Sequence, residues 1–145
     1  MKNTYLLCEL NDEDYAYAKF SFYKTHEQAI DAAILACVAR FDGNCEIETA
    51  NSSFRITSKQ DNTFYVTEIK RIEVEGTHLL VWHHGYEGVD FKILYQGTYD
   101  QCVAEEEKKI NCLMEELECT EDDRNDNIID TGIEWEVFDI IEIND

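Results

Sequence analysis

Two stretches of the chain alternate apolar and polar residues with a period of two. Ala16, Ala18, Phe20 and Phe22 share one side of "YAYAKFSFY", and Val89, Phe91, Ile93 and Tyr95 share one side of "VDFKILY". Such alternation marks a half-buried strand. An apolar run precedes each, "TYLLCEL" and "THLLVW", and the intervening "NDED" and "HGYEG" read as hairpin turns. Each pair of strands then runs into a helix start, because Thr25-x-x-Gln28 and Thr98-x-x-Gln101 both match the capping box. The first predicted helix, about 26–41, gathers Ile30, Ile34, Cys37, Val38 and Phe41, with Ala29 and Ala33 beside them. The second, about 99–118, gathers Val103, Ile110, Leu113, Met114 and Leu117, and its opposite face is expected to carry Glu105, Glu106, Glu115, Glu116 and Glu118. Glu107 falls where the first helix has Ile34, so the second helix is expected to be the more exposed.

These elements recur. Residues 4–29 align with 77–102 without a gap, and Thr4, Leu6, Leu7, Lys19, Thr25 and Gln28 return as Thr77, Leu79, Leu80, Lys92, Thr98 and Gln101. Chance would give about one or two such identities over this length. Closing strands follow at 64–74 and 135–143, where Val66, Ile69 and Ile72 correspond to Val137, Ile140 and Ile143. The expected fold is α+β: two diverged β-β-α-β repeats with antiparallel sheets, each sheet packed on one helix. The repeats occupy 1–75 and 76–145 and are expected to form one compact unit. The first carries an extra hairpin turning at Asp61-Asn62, and the second has an acidic stretch in its place, "EELECTEDDRNDNIID" (115–130).

Charge changes the picture most. The 145 residues carry 32 acids and 12 bases, a net charge of −20. Residues 1–99 hold 15 acids against 9 bases, and residues 100–145 hold 17 against 3. Direct binding to nucleic acid or to an anionic membrane is disfavoured by that charge. No apolar run reaches the roughly 18 residues of a membrane span, and "MKNTYLLCEL" lacks the apolar core of a signal peptide. A cytoplasmic protein is expected, with its six cysteines as thiols; none of their spacings fits a zinc site.

Catalytic signatures are missing from the sequence. It has no nucleophile elbow, Walker loop, dinucleotide fingerprint or H-E-x-x-H. Neither an enzyme nor a cofactor is expected. His83 and His84 sit near Glu87 and Asp90, but adjacent strand residues point to opposite faces and would not chelate one metal together. A small-ligand or metal-binding protein using His83, His84 and Asp90 is therefore a minor alternative. Calcium-loop spacing starts at Asp123, with Asn125, Asn127, the Ile129 carbonyl, Thr131 and Glu134 at the ligand positions. Ile128 stands where the loop needs Gly, and the exit reads as a strand, so no tight calcium site is expected. Tyr15, Tyr17 and Tyr23 lie opposite the Phe20 face and are expected to pack, with a tyrosine-rich interface as the alternative.

An acidic excess of this size exceeds what solubility asks for. Duplex DNA carries one charge per about 1.7 Å of axis, so 20 charges span roughly 34 Å. A compact chain of this length is roughly 40 Å across. Gathered on one side, such charge would compete for a basic DNA- or RNA-binding groove. The leading expectation is an inhibitor of this DNA-mimic type, with a basic nucleic-acid-binding protein (an effector or nuclease) as partner. By analogy, phage and mobile-element inhibitors of restriction or CRISPR systems use this solution. The expected contact residues are Glu105, Glu106, Glu115, Glu116, Glu118, Glu121, Asp122, Asp123 and Asp126, with Asp12, Glu13 and Asp14 as a second patch. The runner-up is an immunity-type inhibitor that binds a basic toxin or enzyme through an aromatic-centred interface.

Overall fold

The computed structural model describes residues 2–11, 18–41, 45–50, 53–60, 63–85, 89–131 and 135–143. The chain divides between Val74 and Glu75 into two compact units. The first contains β1 (Asn3–Asn11), β2 (Ala18–Tyr23), α1 (His26–Phe41), β3 (Cys45–Ala50), β4 (Ser53–Gln60) and β5 (Thr63–Glu73). The second contains β6 (His78–Gly85), β7 (Val89–Gly97), α2 (Tyr99–Glu116), a 3-10 turn (Glu121–Asp123), β8 (Arg124–Asn125), β9 (Ile128–Asp130) and β10 (Trp135–Glu142). The fold is thus mixed α+β, with two antiparallel sheets and two helices.

Strand order is β2-β1-β5-β4-β3 in the first sheet and β7-β6-β10-β9-β8 in the second. Each unit therefore runs β-β-α-β-β-β, not the expected β-β-α-β. The added strands are β3, β8 and β9; β8 and β9 are two and three residues long, too short to carry a period-two signal. The expected hairpin of the first unit joins Gln60 to Thr63 across the sheet, its turn at Asp61-Asn62 lying outside the described residues. The register also matches: Leu7 pairs with Ile69 across β1–β5, and Leu80 pairs with Ile140 across β6–β10.

Both predicted N-cap threonines accept from the third helical residue, and α2 shows the full reciprocal box. Gln28 N donates to Thr25 Oγ1 at 3.1 Å. At α2, Gln101 N donates to Thr98 Oγ1 at 3.2 Å, and Thr98 N donates to Gln101 Oε1 at 3.0 Å. The buried rows are narrower than the periodicity predicts. On α1 the row is Ala29, Ala33 and Cys37, packed on Leu7 and Ile69, while Ile34 is exposed. On α2 it is Cys102, Ile110 and Met114, while Val103 and Leu117 stay largely exposed near the two ends of the helix. Small residues let α1 lie close to its sheet, and the larger Ile34 is left outside that contact. Val38 and Phe41 lie outside the described side chains.

β1 is buried along Leu6, Leu7, Cys8 and Leu10, so both of its faces are covered. Tyr23 packs beneath α1 beside Tyr5, whose ring stacks on His26 at 5.4 Å. Tyr15, Tyr17 and Ala16 lie outside the described residues, as do Asp12, Glu13 and Asp14 and the predicted "NDED" turn beyond Asn11.

Where β7 ends, the second unit closes on a tight backbone crossing. Gly76 N donates to Gln96 Oε1 at 2.7 Å, Thr77 N to Gly97 O at 3.0 Å, and Ile143 N to Thr77 O at 2.9 Å. A Cβ on Gly76 would sit 2.8 Å from the Gly97 backbone. Backbone cannot swing aside as a flexible side chain can. Gly76→Ala is expected to lower stability by about 1–3 kcal/mol, read as a lower urea midpoint at unchanged slope.

Candidate functional site

α2 is set in rotation by its buried row, and that row decides where its acids point. Residues 102, 106, 110 and 114 succeed one another at four-residue steps, so they lie on one side of the helix. Glu106 therefore belongs to the row packed toward the sheet, and the expectation that it shares the outer face is corrected. Burial first, then the neighbouring charges of Glu107, Asp126 and Asp139, pushes its carboxyl above the ordinary glutamate value of 4.5, while Arg124 pulls the other way. Glu105 is half-buried and accepts from Lys108 Nζ at 3.4 Å.

The remaining acids gather around the C-terminal end of the helix. Glu115, Glu116 and Glu118 are all exposed. Successive helix residues are about 100° apart, so Glu115 and Glu116 point in different directions and help ring the helix end. Glu118 N bonds Glu115 O at 3.3 Å and Cys119 N bonds Met114 O at 2.8 Å, the two bonds of a Schellman cap. Glu118 occupies the left-handed position of that cap, with φ of 57°, where glycine is the usual residue. No basic residue lies in the last turn.

Beyond the cap, the chain turns back along the second unit. Thr120 N donates to Asp123 Oδ2 at 2.8 Å, and Asp123 N returns a bond to Thr120 O at 2.9 Å, so Asp123 caps the 3-10 turn. Glu121 and Asp122 on that turn are exposed. Asp126, also exposed, takes φ of 57° at the tip of the β8–β9 hairpin. Asn127 anchors the hairpin by donating from Nδ2 to Phe138 O at 2.6 Å.

One feature escaped the sequence reading. Arg124 reaches back to α2 and pairs with Glu107 at 2.6 Å through Nη2 and 3.4 Å through Nη1, while its Nε donates to the Asp126 carbonyl at 2.8 Å. The pair ties the hairpin to the helix. The Arg124 hydrogen bond holds the Glu107 carboxyl below its ordinary range, and Glu107 raises Arg124 in turn. A lone Arg among eight acids was the available signal.

The calcium spacing is folded into a different shape. Asn125 and Ile128 pair across the hairpin, so the segment is a β-turn and not a loop entering a helix. Glu134 lies outside the described residues. His83 is buried and its Nε2 lies 2.8 Å from Asp139 Oδ2, while the His84 ring lies 5.7 Å from that of Trp82. The Asp90 side chain and Glu87 lie outside the described set. Among the described residues no group of three or more His, Cys, Asp or Glu could hold a metal ion, and no helix is long and apolar enough to cross a membrane. Cys8, Cys37, Cys102, Cys112 and Cys119 are in no disulfide, with Cys37 buried as its helix position predicts.

The two carboxyls shifted in opposite directions separate by pH. Glu106 holds its proton more tightly folded than unfolded, so its ionisation weakens the fold as pH rises past the ordinary carboxylate range. Glu107 holds its proton less tightly folded, so its contribution is present above that range and lost as pH falls through its lowered value. Glu106→Gln is therefore expected to stabilise at pH ~7 and to be neutral at pH ~3, and Glu107→Gln to destabilise at pH ~7 and to destabilise less at pH ~3. Urea unfolding of both variants at the two pH values checks the signs. No protein-family model, curated protein or solved structure matches this chain, so the reading of its acidic helix end rests on that geometry.

Proposed function

We propose that the chain is an acidic inhibitor whose carboxylates stand in for phosphates in the nucleic-acid-binding groove of a basic partner protein, acting by binding and not by catalysis, in the cytoplasm. The observation that carries this is an energetic contradiction at the end of α2. A helix C-terminus bears the negative end of the macrodipole, and each acid placed there costs about 0.3–1 kcal/mol. Glu118 adds the cost of a left-handed backbone that glycine adopts freely. Folding gains nothing evident from either choice. Local rules broken without structural return are the mark of a functional site. Glu115, Glu116, Glu118, Glu121, Asp122 and Asp126 are the exposed members of the proposed surface; Asp123 keeps its turn together and Glu106 tunes the helix–sheet contact.

We also infer that the two units are diverged copies of one ancestor. Their matching strand order, the equivalent pairs Leu7–Ile69 and Leu80–Ile140, and the paired capping boxes support this. On that reading the acidic end is an addition made in one copy only: the first helix ends in "CVARF", without a cluster of acids.

Stability and binding should move in opposite directions. Glu118→Gly is expected to stabilise the protein by about 1 kcal/mol and to weaken partner binding. Glu115→Lys, Glu116→Lys and Glu118→Lys together should also stabilise the helix end, so loss of binding could not be blamed on unfolding. With a partner captured from the native host, a short DNA or RNA duplex should displace this chain. Association should also slow by about tenfold as salt rises from ~50 to ~200 mM. Charge reversal at the exposed Glu73 and Glu75 should matter less. Unchanged affinity of the triple variant, together with loss of binding in Tyr15→Ala and Tyr17→Ala, would replace this reading with the tyrosine-centred inhibitor.

A further inference from the structure

Between α2 and the sheet of the second unit lies an open cavity of about 210 Å³. That is smaller than the roughly 300–1,000 Å³ of sites for cofactors and drug-sized ligands, and suits a single long side chain. Its walls are apolar: Trp82, Leu94, Leu113 and Phe138. Two charges of α2 also line it, Lys109 and Glu116. They are seven residues apart, about 10 Å along the helix axis, so the cavity has one cationic and one anionic end. The anionic end lies in the acidic last turn, beside Glu115 and Glu118.

Apolar walls leading to a carboxylate fit an amphipathic side chain with an aliphatic stem and a cationic head. Trp82 already attracts one cation: Lys92 Nζ lies 5.6 Å from its ring centroid. The indole N–H is committed to Glu136, so the ring meets the cavity as an apolar surface. Arginine fits this setting better than lysine, because its planar guanidinium stacks on aromatic surfaces and can pair with Glu116 through two parallel hydrogen bonds. We propose that this cavity receives one arginine side chain of the basic partner and gives the acidic surface a fixed anchor. This deepens the inhibitor reading and rests on it. Charge alone draws a partner in without fixing its register, whereas an arginine seated between apolar walls and Glu116 would do both.

Nona-arginine and nona-lysine peptides, tested on the full chain at ~150 mM salt, separate anchor from bulk charge. Cys112 lines the cavity and is an exposed residue, so its alkylation rate, followed by peptide mass, reports occupancy. Cys119, which is not among the lining residues, is the internal control. Nona-arginine is expected to bind about fivefold more tightly than nona-lysine and to slow alkylation of Cys112 more than nona-lysine does, while the two peptides affect Cys119, which lies beside Glu118, alike. Leu94→Trp fills the slot without changing charge and should abolish both effects. Glu116→Gln, at an exposed position that does not threaten folding, should bring the two peptides to within about twofold of each other. Equal affinities with no selective protection of Cys112 would overturn the arginine slot. If that binding still weakened steeply with salt, the acidic-surface reading would survive without the slot; failure of both peptides to bind at low salt would remove both.

Discussion

The pairing of Leu80 with Ile140 at the centre of the second sheet, like that of Leu7 with Ile69 in the first, fixes what every other residue of its unit can do. Because strand side chains alternate between faces, a slip of one residue would send the whole apolar set to the wrong side. With the register held, each helix has one surface to cover, and its own buried row fixes its rotation. In α2 that row is Cys102, Ile110 and Met114, with Ile110 and Met114 packed against Leu80 and Phe138. Once these side chains are buried, Glu106 must turn inward while Glu115 and Glu116 remain exposed. The electrostatic character of the surface is thus a consequence of core packing.

The acids of 105–126 divide by environment into two populations. Glu105, Glu107 and Asp123 have partners in Lys108, Arg124 and the Thr120 backbone. Glu106 is desolvated among like charges. These four shape the helix, the hairpin and the turn. The exposed group stands at the helix end and on the two turns that follow. Arg124 matters to both populations, since it neutralises Glu107 and holds the hairpin that presents Asp126. A half-buried guanidinium engaged twice in charge-assisted bonds is a stronger tie than the exposed Lys108–Glu105 pair, whose lysine side chain is 73% exposed.

Long, strongly periodic or capped elements were legible in the sequence. Both helices, the hairpins β1–β2, β6–β7 and β4–β5, and the closing strands announced themselves through alternation and through Thr25 and Thr98. The short strands did not, because two or three residues cannot show a period. Helix faces were half legible: hydrophobicity favours Ile34, Val103 and Leu117, but close packing chose Ala33 and Cys102, and the branched side chains at the edge of the contact stay partly exposed. The acidic cluster was plain from composition. Its division into structural and exposed carboxylates was legible only in part: Lys108–Glu105 and Thr120–Asp123 are three residues apart, whereas Glu107 and Arg124 are 17 apart, a contact that no local pattern encodes.

Acidity alone would be weak ground for a binding role, since acidic residues also serve solubility. Solubility, however, is indifferent to where the charge sits. It could be served on the middle of a helix face, near an N-terminus where the dipole welcomes a carboxylate, or on any loop. Here Glu115, Glu116 and Glu118 stand where the helix dipole opposes them, where glycine would relieve the backbone at Glu118, and within a turn of a cavity with apolar walls. A sequence under selection for stability alone would be expected to give up those choices first, because single substitutions would relieve them. Their presence together on one helix end makes the position of the charge, as well as its amount, an argument for the proposed binding role.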